Sequence, residues 1–212
     1  RGIRVDRVDD WSYCNRMPRP RRSAAIHHQL LEEGVASFLA NGFHGTGLKE
    51  VLDRVRVPKG SFYNYFESKE AFGAAAIRHY ASCLEAKLGH ALTTASDPVA
   101  GLRAFFHGLM REFERSGFAG GCLVANLGGE LEGSEVCREA LHEAFTGWRD
   151  GIRDALTDAQ HLGLVRADLP ATDLADLLVE SWEGAVIRMK IERSLAPLHR
   201  CLGRLLDDYF RP

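Results

Sequence analysis

Apolar residues recur every three to four positions along most of this chain, the period of one face of an α-helix. Between residues 23 and 41 they are Ile26, Leu30, Leu31, Val35, Phe38 and Leu39, and Asn41-Gly42 follows as a stop, glycine suiting a left-handed cap. Leu48, Val51, Leu52 and Val55 predict a second, short helix from Gly47 to about Arg54, with Thr46 as its candidate cap. Val55-Arg56-Val57 reads as a tight joint, and Pro58 opens a brief third helix ending near Phe66, where its fixed φ suits the first turn. Ser68-Lys69-Glu70 begins a fourth, running toward Thr93. Further helices are predicted over about 97–116, 121–131, 134–162, 171–192 and 196–210. Gly117, Gly133-Ser134, Gly163, Pro170 and Pro197 mark their limits. The 134–162 segment carries one long apolar stripe: Val136, Ala140, Leu141, Ala144, Phe145, Trp148, Ile152, Ala155, Leu156 and Ala159. No period-two run enriched in β-branched residues occurs, so the predicted fold class is all-α.

The stretch from Phe43 to Phe72 carries the most chemistry. In the brief helix Phe62 and Phe66 are four apart and can point inward together. Lys59 and Tyr63 form a second ridge, and Ser61 and Tyr65 a third. Gly60 has no side chain, so a large partner can approach the backbone there. Asn64 can pair bidentately with adenine, lysine can reach guanine or a phosphate, and tyrosine hydroxyls are phosphate donors. A helix that braces, followed by one that enters the major groove, is helix-turn-helix logic. A core cluster is the bland alternative, but burying Tyr63, Asn64 and Tyr65 would strand polar groups.

These residues resemble the TetR family of bacterial repressors. The carrying motifs are Thr46-Gly47, then Val57-Pro58-Lys59-Gly60-Ser61-Phe62-Tyr63-Asn64-Tyr65-Phe66, then Lys69-Glu70-Ala71-Phe72. Gly47 departs from the family, which commonly has a hydroxyl residue there. The resemblance implies a helix-turn-helix DNA-binding domain over 23–72 and a helical effector-binding and dimerisation domain over 73–212, behind a flexible basic arm over 1–22. It implies DNA contacts from Thr46, Lys49, Pro58, Lys59, Gly60, Ser61, Tyr63, Asn64, Tyr65 and Lys69, with Lys69 gripping a phosphate. In the arm, Arg16, Arg19, Arg21 and Arg22 could lie along phosphates or a minor groove. Met17, just before this basic run, is consistent with a natural start there.

Charge sharpens this division. The net charge is −2, yet residues 1–90 hold 14 Lys and Arg against 10 Asp and Glu, and the remainder 13 against 19. A basic amino-terminal part joined to an acidic remainder fits a DNA reader joined to a domain that does not touch DNA. No run of about 18 apolar residues suggests a membrane span. Five cysteines without paired spacing point to a reducing cytoplasm rather than a disulfide framework. No Cys-x-x-Cys, His-Glu-x-x-His or glycine-rich phosphate loop signals a metal or nucleotide cofactor.

In the second domain Cys122 falls at the start of a helix, where the dipole favours a thiolate, with Asn126 one turn on. Trp148 stands alone among smaller residues, and Trp182 and Arg188 share a helix with Gly184, which costs about 1 kcal/mol mid-helix and suggests close approach of a partner. Arg188 can receive a ligand carboxylate or pair with Glu192. Gly-Cys-Leu-x-x-Asn-Leu-Gly-x-Glu over 121–130 and Trp-Glu-Gly-Ala-x-x-Arg-x-Lys over 182–190 resemble a TetR subgroup that includes acrylate- and electrophile-responsive repressors. This implies a small, unsaturated or carboxylated effector; Cys122, Asn126, Trp148, Trp182 and Arg188 are the candidate residues to hold it, with plain core packing the alternative for Cys122 and Trp148. Leu198, Leu202, Leu205 and Tyr209 are spaced like a packing seam and are the predicted homodimer interface. The whole reads as a repressor released from a palindromic operator. The rivals are an architectural DNA binder without effector and an enzyme with Cys122 as nucleophile, for which no histidine is placed beside it.

Overall fold

A computed structural model describes residues 22–131 and 133–212. Residues 1–21 of the expected basic arm, and the side chain of Arg22, lie outside the described residues. The described chain is helical, with no strand: α1 Arg22–Gly45, α2 Leu48–Val55, α3 Lys59–Phe62, α4 Lys69–Thr94, α5 Pro98–Arg115, α6 Leu123–Gly128, α7 Glu135–His161, α8 Ala171–Glu192 and α9 Ala196–Leu202. A stretch of wider π-type winding, Gly203–Tyr209, follows α9.

Several boundaries follow from local chemistry. Gly42 interrupts α1 with φ +72°, ψ 174°, so the regular helix ends at Asn41. Ser68 caps α4 by accepting from Ala71 N at 3.0 Å. Asp97 caps α5 by accepting from Ala100 N at 2.8 Å, and that bond holds its carboxyl below the usual range. Gly117 and Gly163 take positive φ where α5 and α7 stop.

Two compact units emerge, and they do not follow a single cut in the sequence. One comprises the described residues up to Leu84 together with Gly120–Trp148; the other comprises Glu85–Ala119 and Arg149–Pro212. The sequence reading divided the chain once, at 72/73. By compactness α4 and α7 each run from one unit into the other, so the α6 region belongs with the helix-turn-helix.

The first unit is centred on phenylalanines. Phe72 lies within 6 Å of three others, at 5.6 Å from Phe38, 5.7 Å from Phe62 and 4.9 Å from Phe66 by ring centroids. A Cβ on Gly34 would overlap the Phe72 ring, so only glycine lets α1 approach α4 this closely. Each ring removed from water contributes about 2–3 kcal/mol. Val136, expected on the buried stripe of α7, is 49% exposed; Cys137 beside it is fully buried and takes the inward position.

In the second unit Trp182 is buried against Phe106, with ring centroids 4.6 Å apart, and near Phe113. Leu198 and Leu202 are also buried here, at 0% and 3% exposure within the single chain. That overturns their expected place on an intersubunit seam: α9 spends them on its own core. Leu205 is half-buried, and Tyr209 is 46% exposed. On α8, Ile187 and Ile191 are uncovered instead, at 56% and 77% exposure, and Leu162 and Leu164 after α7 are exposed as well. A Cβ on Gly184, on the same helix, would meet no atom within 4 Å, so the expected close approach does not occur within this chain.

Candidate nucleic-acid interface and effector-side residues

The two short helices are joined by Arg56 in a left-handed conformation, φ 56°, with its N–H donating to Asp53 O. Val57 N donates to Leu52 O at 3.0 Å, and the Val57 side chain is buried, which fixes the angle at which α3 leaves α2. Pro58 is extended, ψ 141°, and stands one position before the helix rather than inside it. The α3 winding is shorter than its pattern suggested. It is regular over four residues, Lys59–Phe62, and continues as a turn through Tyr65 that Tyr65 N→Phe62 O and Phe66 N→Phe62 O hold at 2.9 and 3.1 Å.

Phe62 and Phe66 point inward, at 1% and 6% exposure. With these two anchored, the intervening residues face outward: Lys59, Gly60 and Asn64 are exposed, Tyr63 is 60% exposed, and Ser61 and Tyr65 are half-buried. Lys49 and Pro58 are exposed as well. Arg54, which the sequence reading assigned no role, braces α2 by pairing with Glu33 of α1 at 2.6 Å and with Glu50 at 2.7 Å.

Two of the expected contact residues are engaged elsewhere. Thr46 is 2% exposed, and its hydroxyl donates to Ser37 O at 3.1 Å and Gly42 O at 2.7 Å. The cap position of α2 is Gly47, with no side-chain cap bond, so Thr46 ties α2 to α1 instead of capping it. Lys69 donates to Phe43 O at 2.7 Å and sits 4.5 Å above the Phe43 ring. Burial lowers the pKa of its ammonium, with Glu70 and Glu130 opposing that shift.

On the effector side, Cys122 is a reduced thiol, 5% exposed, at the residue preceding α6. Gly120 and Gly121 before it both take positive φ, 81° and 91°, which lets the chain turn into α6. Asn126 donates its side-chain amide to Gly120 O at 2.8 Å, so it pins this turn. Trp148 is 5% exposed, and its Nε1–H is buried with no hydrogen-bond partner among the described residues. These three residues belong to one unit; Trp182 and Arg188 belong to the other. Arg188 is 60% exposed at its side chain and donates to Glu192 Oε1, 2.9 Å from Nε. This is the Glu192 pairing that the sequence offered beside a ligand carboxylate. No group of three or more His, Cys, Asp or Glu side chains among the described residues is arranged to hold a metal ion. No helix among them is long and apolar enough to cross a membrane.

The chain was compared with known proteins. Residues 30–76 match the family of bacterial regulatory proteins, tetR family, and residues 98–204 match the tetracyclin repressor-like C-terminal domain. The HTH-type transcriptional repressor DhaR of Mycobacterium sp. strain GP1 is 37% identical over 84% of this chain and 88% of its own length. The HTH-type transcriptional repressor NemR of Escherichia coli is 34% identical over 86% of this chain and 93% of its own. The crystal structure of a TetR regulatory protein from Rhodobacter sphaeroides superposes with a TM-score of 0.80 at 34% identity, covering 87% of this chain and 98% of that one. An outward polar turn on two phenylalanine anchors, these profile matches and this superposition agree: the chain belongs to the TetR family of DNA-binding transcriptional regulators.

Proposed function

We propose that this protein is a homodimeric repressor that reads a palindromic operator through α3 and the turn after it, and that a small molecule bound to its helical part releases it. The observation that carries the reading is the outward display of Lys59, Gly60, Tyr63 and Asn64 above buried Phe62 and Phe66. Asn64 has the chemistry to read an adenine edge, while Tyr63, Lys59 and Lys49 suit phosphates and fix register. Lys69 retains two ammonium protons beyond the one given to Phe43 O, and those suit a phosphate. The relatives' description as repressors supports the direction of regulation.

A half-site reader gains specificity by pairing, and the uncovered Ile187–Ile191 face of α8 beside Gly184 suits a second copy; the part-exposed Leu205 and Tyr209 are further candidates for that interface. The effector reading rests on Cys122 and Asn126 at the glycine turn and on the orphaned indole N–H of Trp148, a donor for a carbonyl or carboxylate. Such a ligand must bind the DNA-incompetent state more tightly, or it releases nothing. The place of action is the cytoplasm, where an operator is reached.

The test is selection of DNA from a random duplex library with purified protein, followed by anisotropy titration of the enriched fragment. Enrichment of a palindrome bound at least tenfold more weakly by Asn64→Ala supports the reading. Failure to enrich any duplex above starting abundance sinks it.

A further inference from the structure

We propose that Glu130 is a positioning residue that couples the Gly120–Glu130 segment to the DNA-reading helices. This rests on the DNA-binding reading above. The residue closes the Gly-Cys-Leu-x-x-Asn-Leu-Gly-x-Glu motif, yet neither a ligand nor a DNA role was attached to it.

The break at Gly42 leaves the N–H groups of the next residues without helical acceptors. Glu130 supplies one from 87 positions away. Its Oε2 accepts from Phe43 N at 2.9 Å and from His44 N at 3.2 Å, as charge-assisted bonds. The His44 Nε2 and the Glu130 carbonyl lie 3.0 Å apart, which adds a third bond when that nitrogen carries the proton. A Cβ on Gly42 would overlap the Glu130 carboxylate, so the carboxylate fits because position 42 has no side chain.

The carbonyls of the same short segment are held from the other side. Gly42 O accepts from Thr46, which immediately precedes the cap residue of α2. Phe43 O accepts from Lys69, the first residue of α4 and close behind α3. The N–H groups of Phe43 and His44 thus rest on Glu130, and the C=O groups of Gly42 and Phe43 rest on Thr46 and Lys69, the two residues that bracket the α2–α3 reader. On the other flank, Glu130 N donates to Leu127 O and closes α6, whose start is pinned by Asn126 on Gly120 O. A shift of α6 that withdraws the carboxylate therefore orphans two amides and removes a negative charge near Lys69.

The experiment is amide hydrogen exchange by NMR on the full chain, combined with titration of duplex DNA selected by the wild type. Glu130→Ala is expected to raise exchange at Phe43 and His44 at least tenfold while Leu30 and Val35 stay protected, and to weaken DNA binding at least tenfold. Glu130→Gln keeps an acceptor of equal reach and is expected to restore most of both. Asn126→Ala, which frees Gly120 O, should raise exchange at Phe43 and His44 in the wild type but add nothing in Glu130→Ala. Unchanged exchange in Glu130→Ala, additive effects in the double variant, or uniform loosening that Gln does not rescue would each overturn the proposal. If no DNA is enriched, the regulator reading fails, while the exchange measurements still decide whether Glu130 couples the two segments.

Discussion

His27 stacks on Phe66 with ring centroids 5.0 Å apart and planes 26° from parallel, joining α1 to the end of the reading turn. His28 meets His79 of α4 edge-on at 5.1 Å, so three imidazoles lie between these helices. Burial first, and neighbouring histidines second, lower the pKa of His27 and His79 below 6.5. His28 has Glu32 at 3.6 Å, a partial counter-charge.

A histidine whose folded pKa is depressed binds protons more readily when unfolded. The stability it supports is present above 6.5 and is lost as pH falls below that value. Urea midpoints should therefore drop between pH 7 and pH 5, and should drop less steeply in His79→Gln. Equal slopes in the two proteins would show that the cluster does not titrate in this range.

Phe62 and Tyr63, adjacent at the end of α3, should separate folding from binding. Phe62 is 1% exposed, so Phe62→Ala is expected to cost about 3–5 kcal/mol in unfolding free energy. Tyr63 is 60% exposed, so Tyr63→Ala should stay within about 0.5 kcal/mol of the wild type. The same Tyr63 variant should lose about tenfold in DNA affinity, the worth of one good phosphate hydrogen bond. Circular dichroism melts and anisotropy titrations read the two effects independently.

The exposed and buried apolar residues of the carboxyl-terminal helices should behave oppositely on charging. Ile191→Glu is expected to yield folded monomers by light scattering, since Ile191 is 77% exposed in the single chain. Leu202→Glu is expected to unfold its unit, because it places an unpaired carboxylate at a position 3% exposed. A folded Leu202→Glu monomer would return α9 to the interface.

Burial pushes the Cys201 thiol up to about 11, so little thiolate exists there at neutral pH. Labelling of Cys201 by N-ethylmaleimide, followed by peptide mass mapping in Cys122→Ser, should be slow at pH 7 and quicken roughly tenfold per pH unit. Fast labelling at Cys201 in neutral buffer would contradict this raised thiol pKa. Any rapid neutral-pH modification that Cys122→Ser abolishes belongs to Cys122.

The helices were legible in the sequence because their causes are local. Apolar spacing and the glycines at stops, Gly117 and Gly163, act within a few residues. The Phe62–Phe66 anchors were legible for the same reason, since residues four apart on a helix share a face. Spacing could not say what covers an apolar face. Leu198 and Leu202 repeat as regularly as an intersubunit seam, yet they are covered by their own chain, while Ile187 and Ile191 are left open. Nor could it say where a polar group finds its partner: Thr46 turned back to α1, Arg188 chose Glu192, and Glu130 reached Phe43 across 87 positions. Periodicity encodes which side of a helix is apolar. Which surface meets that side, and which distant donor a carboxylate satisfies, is set only when the chain packs, because burial and hydrogen bonding depend on neighbours in space.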